Sequence, residues 1–168
     1  TPASLLTIQM AEFNGTPRGT GRRVVVVASR FNETITRALV DGALEALVAH
    51  EVAFDDIDVV WVPGAWELPL AARRALSSGR YDALVALGAV IRGDTPHFDF
   101  VAGEASRGLA LVCIDAEIPV GFGLLTCDTM DQALARAGGV HGNKGWDAAV
   151  AALETTDVLD QIEPADEG

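Results

Sequence analysis

The stretch Val24-Val25-Val26-Val27-Ala28 is an unbroken apolar run, β-branched until its last residue. A strand of this composition has no face that tolerates water, so it belongs inside a sheet covered on both sides. Parallel sheets meet that demand, because each crossover lays a helix on one face. The rest of the chain supplies the crossovers. From Thr34 to His50, Ile35, Leu39, Ala43 and Leu47 form one i, i+4 row, and Val40, Leu44 and Val48 form the next. That is an amphipathic helix. Ile57–Val62 reads as a second strand. Trp66–Ser78 reads as a second helix, with Pro69 admissible only in its first turn. Ala83–Leu87 is a third buried strand. Phe98, Val101, Ala105, Leu109 and Val112 keep helical spacing, Val120–Leu125 is a fourth strand, and helices at Thr129–Ala137 and Lys144–Leu159 follow.

Repeated βα units of this kind predict a three-layer α/β/α sandwich around a four- to five-stranded, mainly parallel sheet, flavodoxin-like in class. The 168 residues and 49% hydrophobic content suit one domain with a full core. Residues 1–22 form an N-terminal arm, with a short strand expected at Leu5–Ile8 and a flexible link through Gly15–Gly21. Residues 23–160 form the domain, and 161–168 an acidic tail.

Asp and Glu number 24 against 12 Lys and Arg, a net charge of −12. Such a surface excludes nucleic acid and anionic membranes as partners. It also repels anionic substrates, so any phosphate site needs local cations and backbone N–H groups. Cys113 and Cys127 show neither CxxC nor disulfide-scaffold spacing and read as reduced core thiols. No basic-then-apolar signal opens the chain, and no apolar run approaches the roughly 20 residues that span a bilayer. A cytoplasmic protein is expected.

In open parallel sheets, ligands bind beyond the carboxyl ends of the strands. Four loops lie there: Ser29-Arg30-Phe31-Asn32, Pro63-Gly64-Ala65-Trp66-Glu67, Gly88 through His97, and Thr126-Cys127-Asp128, with Phe122 on the strand before the last. The third is the richest. Gly93, Asp94 and Thr95 can offer backbone N–H groups and a hydroxyl to an oxyanion ahead of a helix N-terminus. His97 has a pKa suited to proton transfer near neutrality. The plainer alternative is a helix capped by Thr95, with His97 on the surface. Asp94 must turn its carboxylate away from any anion. Phe31 and Trp66 either stack on a planar ring or pack into the core. Glu67 either accepts hydrogen bonds from ligand hydroxyls or favours the start of its helix. Arg136 suits a helix C-terminus, whereas Lys144 opposes the dipole of the helix it opens. No Ser-His-Asp pattern, metal cluster, Walker loop or GxGxxG stands out.

Together, Ser29-Arg30-Phe31-Asn32, Val62-Pro63-Gly64-Ala65-Trp66-Glu67-Leu68-Pro69, Gly88–Phe98 and Arg136-Ala137-Gly138 with Gly142-Asn143-Lys144-Gly145 resemble the lumazine synthase family, over roughly residues 20–158. The resemblance implies condensation of 5-amino-6-(D-ribitylamino)uracil with 3,4-dihydroxy-2-butanone 4-phosphate to 6,7-dimethyl-8-ribityllumazine. Phosphate and water are released, with no cofactor or metal, at the penultimate step of riboflavin biosynthesis. It further implies that Phe31 stacks on the pyrimidine and that Ala65, Trp66 and Glu67 contact its ring and ribityl chain. Val90 and Ile91 would line the ring pocket, Gly93, Asp94 and Thr95 hold phosphate, and His97 transfer protons. Phe122, Lys144 and the phosphate-binding Arg136 would come from a neighbouring subunit. A homo-oligomer follows (pentamer, paired pentamers or a shell of sixty), with riboflavin synthase as a candidate partner. Some family members carry a further lysine where this chain has Gly139-Val140-His141, leaving His141 as a substitute.

A non-catalytic flavin- or lumazine-binding storage protein is the rival, but it has no need to keep Thr95, His97 and Arg136 together. A receiver-like signalling domain fares worse, because Ala28-Ser29-Arg30 ends the first strand without the acidic cluster that holds Mg²⁺.

Overall fold

Strand β1 (Val24–Ser29) is buried along its whole length, as its composition demands. It pairs in parallel with β2 (Ile57–Val62) on one side and β3 (Ala83–Ile91) on the other. β3 pairs in parallel with β4 (Val120–Cys127), giving the order β2-β1-β3-β4. This computed structural model describes residues 10–162; the strand expected at Leu5–Ile8 and the residues after 162 lie outside that range.

The side-chain alternation of β1 divides the core in two. Val24, Val26 and Ala28 pack with Leu39 and Leu47 of α1 (Glu33–Ala49) and Leu153 of α5 (Lys144–Gln161). Val25 and Val27 pack with Leu68 and Leu76 of α2 (Leu68–Ser77) and Leu109 of α3 (His97–Ala116). Helices therefore cover both faces, and the expected α/β/α sandwich is the observed fold. Because β1 has β2 on one side and β3 on the other, the chain leaves it in opposite directions. That opens a crevice at the carboxyl ends of the strands.

Three boundaries differ from the sequence expectation. β3 continues beyond Leu87 to Ile91, because β4 pairs with it as far as Ile91 opposite Cys127. The turn expected to begin at Gly88 is therefore confined to residues 92–96. Gly88 serves packing rather than turning, since a Cβ there would sit 2.7 Å from Ser29 Oγ and 2.9 Å from Leu124 Cδ1. Second, a 3-10 turn at Ala65–Glu67 precedes α2, which starts at Leu68 with Pro69 in its first turn. Third, the chain between α4 (Met130–Arg136) and α5 is a small antiparallel ribbon, β5 (Ala137–Gly139) with β6 (Gly142–Asn143). Val140 and His141 form its exposed tip.

β2 is an edge strand with Asp58, Val59 and Val60 exposed. Among the described residues, no helix is long and apolar enough to cross a membrane.

The arm is fastened to α5 chiefly through Asp157, with Arg22 also paired to Asp160 at 2.6 Å. Asp157, only 7% exposed, accepts the Thr16 N–H at 2.9 Å and pairs with Arg18 at 3.3 Å. Beside it, Gln161 Nε2 donates to the Asn14 carbonyl at 2.8 Å. The Thr16 N–H holds the Asp157 carboxyl below the usual carboxylate range, and Arg18 adds to this. A group depressed in the folded chain stabilises it above the unfolded pKa, and that contribution is lost as pH falls below about 4. Asp157→Asn at neutral pH is therefore expected to speed amide exchange at Thr16 and leave the amides of β1 protected. Acid should act in the same direction. Equal exchange at Thr16 in both chains would show that the arm is held by something else.

Candidate functional site

The loop after β1 is stapled to both neighbouring strands. Arg30 N–H donates to the Val62 carbonyl at 2.8 Å and Phe31 N–H to the Pro63 carbonyl at 3.0 Å. Asn32 takes the left-handed conformation (φ 62°, ψ 51°), which Asn tolerates better than most residues, and its Nδ2 donates to the Ala89 carbonyl at 2.9 Å. These bonds fix where Phe31 emerges. Its ring is 71% exposed and that of Trp66 is 61% exposed, so neither is packed in the core.

Both aromatics border a cavity of about 500 Å³ beyond the carboxyl ends of β1, β2 and β3. Ala65 and Glu67 line it from the 3-10 turn, and Val90 and Ile91 from the end of β3. Glu67 is half-buried at the start of α2, makes no capping bond there, and is directed beside Gly64, which leaves it room. Gly93, Thr95 and His97 close the far side. Thr95 does not cap α3 as a helix N-cap would; that position is Pro96, and Thr95 Oγ1 accepts a long 3.4 Å bond from the His97 N–H. Asp94 is exposed and, unlike Gly93 and Thr95, does not line the cavity.

The cation in this turn is already engaged. Arg92 donates from Nε to Asp128 at 2.8 Å, pairs with Asp99 at 3.5 Å and lies 4.4 Å over the Phe98 ring. The bond to Asp128 raises the guanidinium further above its ordinary pKa.

A second cavity, of about 460 Å³, lies beyond β4. Phe122, Arg136, His141 and Lys144 line it. Arg136 ends α4, a helix opened by a capping box between Thr129 and Gln132, and its guanidinium also donates to the Gln132 carbonyl at 2.9 Å. The helix-terminal role and exposure to the cavity thus coexist. Lys144 opens α5 against the dipole because Asn143 secures that end. Asn143 Oδ1 accepts from the Gly145 N–H at 2.8 Å and the Trp146 N–H at 3.2 Å, while its Nδ2 donates to the Ala38 carbonyl of α1 at 2.9 Å. Cys127 also lines this cavity, but burial raises its thiol pKa and keeps it protonated, a poor nucleophile.

One chain therefore separates the residues picked from the sequence into two groups. Phe31, Ala65, Trp66, Glu67, Val90, Ile91, Gly93, Thr95 and His97 surround one cavity, Phe122, Arg136 and Lys144 the other, and Asp94 neither. Pro63 and Gly64 of the second strand-end loop line the first cavity with the residues picked from it, whereas Phe98 and Val101 as lining residues, and Asn143 as the anchor of Lys144, were not singled out from the sequence. The offset of Phe98 and Val101 from His97, on the helical spacing already noted, was the signal available for those two. Asn143 carried the N-cap preference of Asn one residue before a helix.

Exposed rings, a carboxylate, an imidazole and a glycine-containing turn around one cavity at the carboxyl edge of a parallel sheet define a class: an α/β enzyme that acts on a small molecule. The family model for 6,7-dimethyl-8-ribityllumazine synthase matches residues 21–160. The 6,7-dimethyl-8-ribityllumazine synthase of Gemmatimonas aurantiaca is 68% identical over 158 residues, 94% of this chain and 96% of that protein. The protein of the same name from Kosmotoga olearia is 50% identical over 154 residues, 92% of this chain and 99% of that one. The chain belongs to the 6,7-dimethyl-8-ribityllumazine synthase family, enzymes of riboflavin biosynthesis.

Two substitutions separate scaffold from rim. Asn143→Asp replaces the Nδ2 donor with an oxygen facing the Ala38 carbonyl, and is expected to cost about 1–3 kcal/mol of stability. Phe31→Ala removes an exposed ring and should change stability by no more than about 0.5 kcal/mol. Urea unfolding at matched protein concentration measures both; a destabilised Phe31→Ala chain would give Phe31 a packing role instead.

Proposed function

We propose that this chain makes 6,7-dimethyl-8-ribityllumazine from 5-amino-6-(D-ribitylamino)uracil and 3,4-dihydroxy-2-butanone 4-phosphate, at a site built from the first cavity of one subunit and the second cavity of its neighbour. The observation that carries this reading is the division of labour between the two. The first has rings, a carboxylate, an anion turn and an imidazole, but its cation is locked to Asp99 and Asp128. The second holds Arg136 and Lys144.

In this site Phe31 stacks on the pyrimidine, and Trp66 and Ala65 border the ring and ribityl chain. Glu67 accepts ribityl hydroxyls, and Val90 and Ile91 form the apolar floor. Gly93 and Thr95 present the anion turn, Asp94 contributing only its backbone. Arg136 of the neighbour grips phosphate with its planar fork, assisted by Lys144, while Phe122 closes the pocket. The substrate amine attacks the ketone and expels water to give an imine. Phosphate then leaves, and the ribitylamino nitrogen attacks the remaining carbonyl carbon and expels a second water as the new ring closes. Each step moves protons, and His97 stands where it can shuttle them. Enforced proximity and a held leaving group supply the rest, so no protein nucleophile is needed.

Several exposed surfaces support assembly. Val59 and Val60 leave the β2 edge open to a strand from a neighbour's arm, and Phe100, Leu111 and Ile114 expose an apolar face on α3. A pentameric ring, alone, paired or in a shell of sixty, accommodates these surfaces. Riboflavin synthase is the candidate partner, and the two unpaired thiols suit the cytoplasm.

Incubation with both substrates is expected to release phosphate and develop lumazine absorbance together; the absence of both signals would refute the reading. Arg136→Ala should raise KM for the butanone phosphate far more than for the pyrimidine. His97→Ala should slow kcat by up to roughly 10²–10⁴-fold, less where substrate amines and water share proton transfer. An unchanged rate removes His97 from the chemistry.

A further inference from the structure

A string of contacts links the two cavities within one chain. Arg92 lies immediately before the anion turn, and its N–H donates to the Cys127 carbonyl at 2.9 Å, the last rung between β3 and β4. Its guanidinium then reaches Asp128 at 2.8 Å. The Asp128 N–H donates to Gln132 Oε1 at 2.8 Å, and the carbonyl of the same Gln132 receives Arg136 at 2.9 Å. The turn of one cavity and the phosphate-gripping arginine of the other are thus joined through three residues, the link passing through the backbone N–H of Asp128 and the backbone carbonyl of Gln132. On the opposite side, Asp99 and the face of Phe98 hold the same guanidinium against the first turn of α3. With two carboxylates on it, Arg92 has no charge to spare for a ligand, although it is the cation nearest the turn.

We propose that Arg92 is a positioning residue: through Asp128 and Asp99 it fixes the anion turn of the site its chain hosts and, through Gln132, the Arg136 its chain lends to the adjacent site. This rests on the composite site proposed above. It adds that each chain carries a mechanical link between successive sites around the assembly. Arg92 acts without touching the phosphate. Lysine replaces it poorly, because its compact ammonium lacks the planar fork that spans Asp128 on one side and Asp99 on the other while its face lies on Phe98.

The test compares Arg92→Gln, Arg92→Lys, Asp128→Asn and the double variant Arg92→Gln/Asp128→Asn, with Arg136→Ala as control. KM for each substrate, kcat, and inhibition by inorganic phosphate are measured. Both Arg92→Gln and Asp128→Asn are expected to raise KM for the butanone phosphate and weaken phosphate inhibition, each by roughly fivefold, the scale of one exposed ion pair in a network. KM for the pyrimidine should stay within about twofold. Arg92→Lys should not restore the wild-type values, and the double variant should be no worse than Arg92→Gln alone, because that substitution already removes the Asp128 contact. Direct phosphate contact by Arg92 would show the opposite pattern. Asp128→Asn would then free the guanidinium and leave KM unchanged or lower while Arg92→Gln raised it, overturning the proposal. So would wild-type values in both single variants. Failure of the composite site is separately visible, as an inactive wild-type enzyme or an Arg136→Ala chain with normal phosphate inhibition.

Discussion

Everything in this molecule depends on β1 having water on neither face. A strand of valines must be internal, so β2 and β3 take its two sides and helices close both layers above and below it. With the faces filled, the ends of the strands are where polar and aromatic groups can reach a ligand. The staples from Arg30, Phe31 and Asn32 then convert a buried strand into a fixed rim, because each ties the loop to the backbone of an adjacent strand. Rigid strands thereby set the position of exposed rings, an arrangement that favours binding over packing.

The same logic would let an acidic chain accommodate the anionic substrate proposed for it. At a net charge of −12 the long-range field is unfavourable, and local groups have to overcome it. In the proposed site, the turn at 93–95 supplies backbone N–H groups without adding a mobile cation. In the proposed assembly, Arg136 and Lys144 arrive on a different chain, so full complementarity to phosphate exists only where two subunits meet. Catalysis and assembly then become one requirement.

How much of this was readable beforehand follows from how local each feature is. The valine run, the i, i+4 rows and Pro69 in a first turn are local, and they led directly to the sandwich and to three of its loops. The ends of β3 and β4 are not local. Gly88–Ile91 is extended because Leu124–Cys127 lies beside it, a pairing across distant sequence that periodicity does not encode. The ribbon at 137–143 is too short to show alternation, and its turn depends on positive φ at Gly138 and Gly142. For the site, aromatic residues at strand ends fit core and rim equally well until exposure separates them. The division into two cavities was equally hidden from residue types. It depends on which side of the sheet β4 occupies, and only the family resemblance raised a second subunit. Arg92 was visible within its loop, yet nothing local revealed that two acids already hold it.

The open flank of β2 has a consequence for the life of the chain before it finds company. Among the described residues no strand pairs with the outer side of β2, and such an edge is a template on which unrelated strands, or further copies in the wrong register, readily stick. In the proposed assembly, a newly made chain would be adhesive until a neighbour covered that flank. Its excess of negative charge slows encounters between like chains and gives ordered docking time to outrun random clumping. The acidity that makes phosphate hard to hold also acts as a solubility device during manufacture.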